Sequence, residues 1–489
     1  MQAVQVTALD GPDSVSVAEL ADPTPTGGQV HIDVHAAGVC FPDLLQTRGL
    51  YQLKPELPFV PGCEVAGVVR TAPEGSGFAA GDRVAAFPGL GGFAEQVVTD
   101  ARFVFVLLRG ALDGLSAVPP VGDPEYAGLR GQIALARSGE GAALPLEGPF
   151  GLHPSLDFLH RSFASKELAV FHAVASPYRE RSHFDAQNVL ESGDLRPHGS
   201  TSGWINRALV ALPANKTREA GVALGANVPL AMRGPAEVAS WSPTRTAALD
   251  DETLARITDM YARDPLLSQR LADALASDAI ANEAQAAVQA EAHGEDKSDA
   301  AMTMNPVERD AKEKRNYNAR YVETARAAAG FLKRDDGPRV AMFDTTGWDT
   351  HANEGGAQGQ LALRLRGLDA ALAALKESLG PVWRKTAVLV ATEFGRTAAI
   401  NGTRGTDHGT GAAAFLLGGA VAGGRVLADW PGLARSSLLE NRDLKPTRDL
   451  RTVMKGVLRD HLGVPSAALD TKVFPDSANA RPMDGLVRA

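Results

Sequence analysis

The sequence changes character close to residue 102, and this change excludes a single uniform domain. Before it, short apolar runs are broken by turns rich in Gly and Pro. After it, strand-like apolar runs alternate with longer helical patterns. A chain of 489 residues is also too long for one ordinary domain. We therefore predict two domains, which span residues 1–101 and 102–489.

The two pieces also differ in charge. Residues 1–101 contain twelve Asp and Glu but only four Lys and Arg, so nearly all of the formal charge of -9 lies in the smaller piece. The chain has no dense basic tract, and we expect neither nucleic acid nor a membrane as a partner. Two cysteines cannot form a disulfide scaffold, and the amino terminus has no signal-peptide pattern. We therefore expect a cytoplasmic protein.

Five strand-like segments in the first piece predict a β-barrel-like domain. Residues between them, such as Gly11-Pro12 and the stretch 23–28, are typical of turns. The predicted strands are 5–9, 29–36, 62–71, 82–87 and 93–99.

Three phrases in this piece carry a family resemblance. They are Gly-Val-Cys-Phe-Pro-Asp-Leu-Leu at 38–45, Leu-Pro-Phe-Val-Pro-Gly-Cys-Glu-Val-Ala-Gly-Val-Val at 57–69 and Gly-Asp-Arg-Val at 81–84. Together they resemble the amino-terminal GroES-like domain of medium-chain quinone reductases and alcohol dehydrogenases. Zinc-binding members have Cys at the position of Cys40 and His at the position of Cys63, so the resemblance implies an incomplete zinc site here. Two partly buried thiols are the favoured interpretation.

A reductase of that superfamily also needs a nucleotide-binding domain with a Gly-rich turn between a strand and a helix. Neither 89–92 nor 418–424 has that context. We therefore expect no nicotinamide cofactor. A GroES-like domain without its nucleotide domain would leave its docking face uncovered, and we expect self-association through that face.

The second piece has the element order of an α/β domain. Alternating strands and helices favour a doubly wound sheet with sites at the carboxyl ends of its strands. A polar stretch near 278–318 reads as a helical insert without chemistry. The predicted strands are 103–108, 168–173, 339–343 and 387–391, and the predicted helices are 250–276, 317–332, 358–379 and 447–462.

Three polar clusters in the last third of the chain predict a metal site. Asp349 and His351 lie two residues apart after one strand, and Glu393 directly follows the next. Asp407 and His408 lie in a Gly-flanked loop. Carboxylates and imidazoles are ligands that zinc, manganese and iron accept. Each residue alone also has a structural interpretation, as a turn cap, an ion pair or a solvated histidine, but their combination favours a metal.

A fourth cluster surrounds Ser182 and His183. A hydroxyl beside an imidazole and a carboxylate could be an activated nucleophile, with Arg181 holding an anionic substrate. Equally, Ser182 could cap a helix that begins at His183 while the arginines pair with acids. The sequence leaves both alternatives open.

From residue 103 onward the motifs resemble the bacterial family named domain of unknown function 1501, in the alkaline phosphatase and sulfatase superfamily. The phrases are 108–116, 151–154, 176–185 with 191–193, 347–351, 392–397 and 406–409. The resemblance implies that Asp113 holds one metal beside Ser182, that Asp349 and His351 hold another, and that Glu393 and His408 complete the ligand shells. The superfamily has adjacent Asp-His where this chain has Glu393-Phe394, which predicts a weakened second metal site. Relatives of this domain usually carry an export signal, in whose place this chain has the reductase-like piece.

The leading hypothesis is a metal-dependent hydrolase of phosphate or sulfate esters, with a small-molecule substrate and zinc as the expected ion. A metal-binding scaffold without catalysis is the alternative, and an NADPH-dependent quinone reductase is the third hypothesis. The predicted catalytic residues are Ser182, Arg181 and Arg396, and the predicted metal ligands are Asp113, His183, Asp349, His351, Glu393, Asp407 and His408.

Overall fold

The structure, a computed structural model, describes most of the two pieces. The described residues are 1–25, 29–51, 55, 57–72, 78–88, 90–99, 101–212, 220–225, 227–242, 306–334 and 337–488, with nine positions between 257 and 271. The predicted helix 250–276 lies mostly outside them, as do residues 278–305 of the predicted insert. The remainder of that insert belongs to a long helix that begins at Pro306.

The first piece forms an antiparallel sheet and a separate hairpin. Strands β3 to β6 pair in the order β5-β4-β3-β6, and β1 pairs with β2. Ile32, Val65 and Val97, from strands of the antiparallel sheet, form a small hydrophobic core. Four of the five predicted strands are present within a few residues of the predicted bounds, whereas the predicted strand 5–9 overlaps β1 only at residues 5 and 6, and β2 and helix α1 were not predicted. The elements are β1 Gln2–Val6, β2 Val15–Glu19, β3 Val30–Gly38, α1 Phe41–Thr47, β4 Glu64–Thr71, β5 Arg83–Ala86 and β6 Gln96–Thr99.

The second piece is built on one nine-stranded mixed sheet, in the order β12-β11-β13-β7-β14-β15-β10-β16, with β17 also pairing with β10. The five strands from β12 to β14 run parallel, and β15 is antiparallel to both of its neighbours. Its strands are β7 Arg102–Leu108, β10 Leu168–Ala175, β11 Gly221–Leu224, β12 Val238–Trp241, β13 Val340–Thr345, β14 Thr386–Thr392, β15 Ala412–Leu417, β16 Arg425–Leu427 and β17 Arg448–Asp449, and a small hairpin adds β8 Leu144–Pro145 and β9 Gly151–Leu152.

Helices cover both faces of this sheet. Alternate side chains of β7 enter different cores, with Val104 and Val106 on one face and Phe103 and Phe105 on the other. All seven residues of β7 are buried, as the continuous apolar run predicts for a central parallel strand. The helices are α2 Gly114–Ala117, α3 Tyr126–Arg130, α4 Asp157–Ala164, α5 His183–Ser192, α6 Trp204–Ala211, α7 Pro306–Lys333, α8 Gln360–Leu379, α9 Leu450–Asp460 and α10 Ser466–Ala468.

The strand directions bring four chain segments to one edge of the sheet. Strands β7, β10, β13 and β14 all end there, so the residues that follow them meet. Because β15 runs the opposite way, the loop before it, which contains His408, starts at the same edge. The antiparallel β15 was not predicted, although it carries this loop into the site.

Among the described residues, no helix is both long enough and apolar enough to cross a membrane.

The position of β7 supports a domain boundary just before residue 102. Its first residue, Arg102, pairs with Thr386 of β14, and its guanidinium Nε donates to the carbonyl of Leu332 at 3.0 Å.

We propose that the larger domain folds without residues 1–101. A chain of residues 102–489 should give a cooperative thermal transition measured by circular dichroism. A chain of residues 110–489 lacks the central strand and should not. Failure of the longer fragment to fold would contradict the boundary.

Buried histidines should make the larger domain sensitive to acid. Burial lowers the pKa of His172 to about 4 against an ordinary 6.5. Its Nε2 donates to Val118 and its Nδ1 accepts from the Ala173 amide, so protonation at Nδ1 would break the second bond. His153 has the same pattern with Gly356 and Ser155, and burial lowers its pKa to about 4 as well.

Since the folded pKa of His172 lies below the unfolded one, its contribution is fully present above pH 6.5 and is lost as pH falls toward 4. His172→Gln should therefore flatten the fall in unfolding free energy between these pH values, by an amount on the order of 3 kcal/mol. Urea denaturation at several pH values measures this. The exposed His198 provides the control, and a profile unchanged in His172→Gln would refute the assignment.

Candidate metal centre

Three histidines from three segments converge at the carboxyl edge of the sheet. His183 is the first residue of α5, His351 lies after β13, and His408 precedes β15. The Nε2 atom of His408 lies 2.9 Å from Nε2 of His183 and 3.0 Å from Nε2 of His351. The carboxylate of Asp349 lies 3.5, 3.1 and 3.4 Å from Nε2 of His183, His351 and His408 respectively. The sequence predicted all four residues as ligands, and the structure brings them together.

The opposite nitrogen of each histidine contacts a hydrogen-bond acceptor. Nδ1 of His183 lies 2.8 Å from the Glu393 carboxylate, and Nδ1 of His351 lies 3.2 Å from the Asp407 carboxylate. Nδ1 of His408 lies 3.0 Å from the backbone carbonyl of Arg181. Since these groups accept but do not donate, each Nδ1 carries the proton in the neutral ring. Each Nε2 then presents a lone pair to the shared centre.

This arrangement fits a divalent metal ion. Three lone pairs and a carboxylate facing one another repel unless protons or a cation lie between them. Ligand atoms of a tetrahedral zinc site, each about 2.0–2.1 Å from the ion, are roughly 3.3 Å apart. The observed separations run from 2.9 to 3.5 Å. His183, Asp349 and His408 form a compact metal-ligating group, and His351 adjoins two of them.

Protons replace the cation in the metal-free state. Burial lowers the pKa of His183, but hydrogen bonds to Asp349 and Glu393 outweigh it and raise the pKa to about 9. Burial raises the pKa of Asp349, yet the hydrogen bonds of His183 and His408 and the guanidinium of Arg396 hold it well below its usual range. His183 is therefore mostly an imidazolium at neutral pH, beside an ionised carboxylate.

Glu393 lies behind His183 and does not face the shared centre. One carboxylate oxygen accepts from His183, from the amide of Gly110 at 2.8 Å and from Gln187 at 2.9 Å, while the other accepts from Thr392 at 2.9 Å. These bonds outweigh burial and lower the pKa of Glu393. Its position indicates an orienting role for a histidine ligand, a common feature of metal sites. Asp407 occupies the matching place behind His351.

Arg396 lies beneath Asp349. Its side chain is fully buried, and Nη1 donates to Asp349 at 2.7 Å. Nε and Nη2 have no hydrogen-bond partner among the described residues. The guanidinium therefore acts on Asp349, keeping it ionised and fixed, and it does not face solvent as the predicted anion clamp would.

Arg181 and Ser182 contribute mainly through the backbone. The guanidinium of Arg181 pairs with Asp443 at 2.8 Å and Glu440 at 2.6 Å, as one of the two sequence alternatives expected. Its left-handed backbone, at φ 62°, presents the carbonyl to His408. Ser182 occupies the position before α5 without a side-chain cap, and its hydroxyl interacts with Tyr178.

Asp113 does not join the histidines. It caps α2 through the Ser116 amide at 3.0 Å and pairs with the buried Arg130 at 2.5 Å. Glu354 lies on the same cluster, 3.5 Å from Arg130. The structure therefore places Asp113 in a buried ionic cluster distinct from the shared centre, because α2 turns its carboxylate toward α3.

That buried cluster holds two of the site loops together. One oxygen of Glu354 accepts from Thr350 and from Thr406, each at 2.9 Å. Thr350 lies between Asp349 and His351, and Thr406 directly precedes Asp407. Gly405 also permits close contact, because a Cβ there would lie 2.3 Å from the His351 backbone.

Three contributors were missed by the sequence reasoning. Arg130 and Glu354 lie outside every motif considered, and their separation of 224 positions gives no indication that they are in contact. Gln187 had a usable signal, since it follows His183 by four residues on one helix face. Both side chains bind the same oxygen of Glu393.

The first domain contains a smaller group of potential ligands, Cys40, Asp43 and Cys63. The Cys40 thiol donates to Asp43 at 3.1 Å, and the Cys63 thiol lies 3.8 Å from the same carboxylate. Burial and the Asp43 charge raise the pKa of the Cys63 thiol to about 12. Among the described residues this group offers two thiols and one carboxylate, one ligand fewer than the four of a structural zinc site.

The family described as "Protein of unknown function (DUF1501)" matches residues 160–472, more than half of the chain. The chain belongs to this family. The four residues of the centre, His183, Asp349, His351 and His408, and Asp407 behind them all lie within the matched range. The description assigns no function to the DUF1501 domain.

The "Alcohol dehydrogenase GroES-like domain" matches residues 26–109, so the amino-terminal domain is GroES-like. Mouse quinone oxidoreductase-like protein 2 is 40% identical over 109 residues, which cover 22% of this chain and 31% of that protein. Rat quinone oxidoreductase is 32% identical over 154 residues, or 31% of this chain and 46% of that protein. A probable oxidoreductase from Mycobacterium abscessus has 35% identity and a TM-score of 0.20, covering 27% of this chain and 50% of that one. The matched part of the chain thus spans 31% to 50% of the length of these relatives.

The Glu393 contact predicts a selective effect on metal affinity. Glu393→Gln keeps an acceptor of similar shape but removes the charge that polarises His183. Zinc affinity, measured by competition with a chromogenic chelator, should fall roughly 10–100-fold. Glu440→Gln, an exposed carboxylate that contacts Arg181, should leave it unchanged. Equal affinity of Glu393→Gln and the parent protein would contradict the orienting role.

Proposed function

We propose that the DUF1501 domain is a metal-dependent hydrolase. The observation that carries the proposal is the convergence of three Nε2 atoms on Asp349, with every Nδ1 held by an acceptor. A divalent ion held by His183, Asp349 and His408, with His351 beside them, would act as a Lewis acid that activates water and offsets negative charge. Zinc suits this nitrogen and oxygen donor set.

The chain's own residues prepare the centre for such an ion. Glu393, Asp407 and the Arg181 carbonyl fix the imidazole rings, and Arg396 keeps Asp349 ionised. Asp349 and His351 remain about two-fifths exposed, so the centre is open to solvent on their side. This combination of a buried support and an open face is typical of catalytic metal sites more than of structural ones.

Phosphate or sulfate esters are the substrate class that we propose, together with an alkaline-phosphatase-like fold type. The mixed sheet with a site at the carboxyl ends of its strands supports that choice, as do the motifs from 108 to 409. Ser182 directly precedes His183 in the chain and is partly exposed. We propose Ser182 as the nucleophile of this reaction.

A metal-binding protein without turnover is the second candidate, favoured by the two arginines. Arg181 is neutralised by Asp443 and Glu440, and Arg396 is buried against Asp349. Both guanidinium groups are therefore already engaged with carboxylates, which disfavours their binding a phosphoryl or sulfuryl group. Tight metal binding combined with no hydrolysis across an ester panel would favour this candidate.

Turnover of aryl phosphate and aryl sulfate tests the first candidate. His408→Ala should abolish zinc binding, determined by elemental analysis, together with any hydrolysis. His160→Ala alters a histidine whose ring contacts the Pro145 carbonyl, and this variant should preserve both. Ser182→Ala should keep the metal and lose turnover. Hydrolysis that persists in His408→Ala would rule out this centre as its source.

Metal affinity should also depend on pH. Because the pKa of His183 lies at about 9, an incoming ion must displace its proton at neutral pH. Loss of one proton predicts that the apparent zinc affinity rises about tenfold per pH unit between 6 and 8. Calorimetry in buffers of different ionisation enthalpy counts the released proton. An affinity independent of pH over this range would show that His183 is not a ligand.

A further inference from the structure

A second pocket lies at the opposite edge of the large sheet, away from the candidate metal centre. It is formed where β10 and β16 begin, with a volume of about 390 Å³. The turn before β10, the loop before β16 and the carboxyl-terminal segment meet there. Its lining consists of Ser165, Lys166, Ala422, Gly423, Arg425 and Arg488.

Three of the six lining residues are cations and none is an acid. Among the described residues, Lys166, Arg425 and Arg488 form no ion pair. By contrast, several other arginines of the described residues contact a carboxylate. Those paired arginines include Arg109, Arg130, Arg181, Arg396, Arg442, Arg448, Arg451 and Arg459.

The acids nearest in sequence are already engaged. Glu167, which follows Lys166, pairs with Lys376 at 2.5 Å and accepts from the indole of Trp383. Asp484 pairs with Arg459 at 2.6 Å. Glu147 lies close to Arg425, because its carboxylate accepts from the Val426 amide at 3.2 Å. Since this single carboxylate forms no ion pair with the three cations among the described residues, the pocket keeps a net positive charge.

Backbone carbonyls hold the two guanidinium groups in place. Nε of Arg425 donates to Ala422 at 3.0 Å, and Nε of Arg488 donates to Val421 at 2.8 Å. Nη2 of Arg488 also donates to the carbonyl of Lys166 at 2.8 Å. Nη2 of Arg425 also donates to the carbonyl of Gly485. Since neutral carbonyls fix the groups without neutralising them, the Nη1 donors of both arginines stay available for an anion.

The backbone of Lys166 adds an independent observation. It has a left-handed conformation at φ 60°, which Gly or Asn adopts more readily. Its carbonyl accepts from both Gly423 and Arg488, so the strained turn links the walls of the pocket. Backbone strain of this kind tends to persist where a local geometry serves a site.

We propose that this pocket binds a small soluble oxyanion with at least two negative charges, of the size and charge of pyrophosphate. Arginine forks and a lysine ammonium are the groups that recognise phosphoryl oxygens. The volume falls in the range of small-molecule sites, roughly 300–1,000 Å³. Three cations confined to one small pocket match two or three negative charges, which selects a compact ligand over an extended polyanion.

Pyrophosphate binding, followed by calorimetry on the full chain in EDTA, tests this proposal. EDTA excludes binding through metal, and His408→Ala should bind pyrophosphate as the parent does, which separates this site from the proposed hydrolase. Lys166→Gln and Arg488→Gln should each weaken binding about tenfold. Binding should also weaken as ionic strength rises. The exposed Arg435, remote from the pocket lining, gives the control Arg435→Gln, which should bind unchanged.

Lys166→Arg keeps the charge and should retain affinity, which guards against variants that fail to fold. Circular dichroism checks each protein. No measurable pyrophosphate binding by the folded parent would overturn the proposal, as would equal losses in Arg435→Gln and Arg488→Gln. Tighter binding of a single-stranded oligonucleotide than of pyrophosphate would also overturn it, because it would assign the charge to an extended polyanion.

Discussion

The buried carboxylate of Glu393 is the contact on which the candidate centre depends. It follows β14 and accepts hydrogen bonds from the residues after β7 and from two side chains of α5. A buried charge is costly unless it is fully hydrogen-bonded, and this one has four donors. Because the buried Glu393 carboxylate needs these hydrogen bonds, it fixes the position of the start of α5 relative to the sheet. His183, at the start of that helix, is oriented by the same bonds.

The other ligands are supported from below by a second buried charge cluster. Arg130 faces Asp113 and Glu354, and Glu354 in turn holds Thr350 and Thr406. Burial and the nearby Asp113 raise the pKa of Glu354 to about 7, despite Arg130. The cluster has no exposed atom with which to do chemistry, and its place beneath two loops explains it as a support. Breaking one member would leave an unpaired buried charge, which is far more damaging than losing a surface ion pair.

The two domains differ in what they are similar to and in which of them contains the candidate sites. The GroES-like domain resembles the amino-terminal part of quinone oxidoreductases, and the chain spans less than half of those proteins. The candidate metal centre and the basic pocket both lie in the DUF1501 domain, at opposite edges of one sheet. This separation means that each of the two sites can be altered without touching the other.

Much of this organisation could be predicted from the sequence. Continuous apolar runs predicted β7, β13 and β14, helical periodicity predicted α8, and residue chemistry selected His183, Asp349, His351 and His408 as candidate ligands. Local patterns did not identify β15, whose small apolar residues resemble those of a buried helix or loop. They also could not distinguish ligands from the residues behind them, because Glu393 and Asp349 are both carboxylates after a strand.

Only the tertiary structure decided that Asp113 joins Arg130 and that Arg396 is buried. Composition and spacing determine which groups reach an edge of the sheet, whereas the direction each one faces depends on hydrogen bonds between residues more than 200 positions apart.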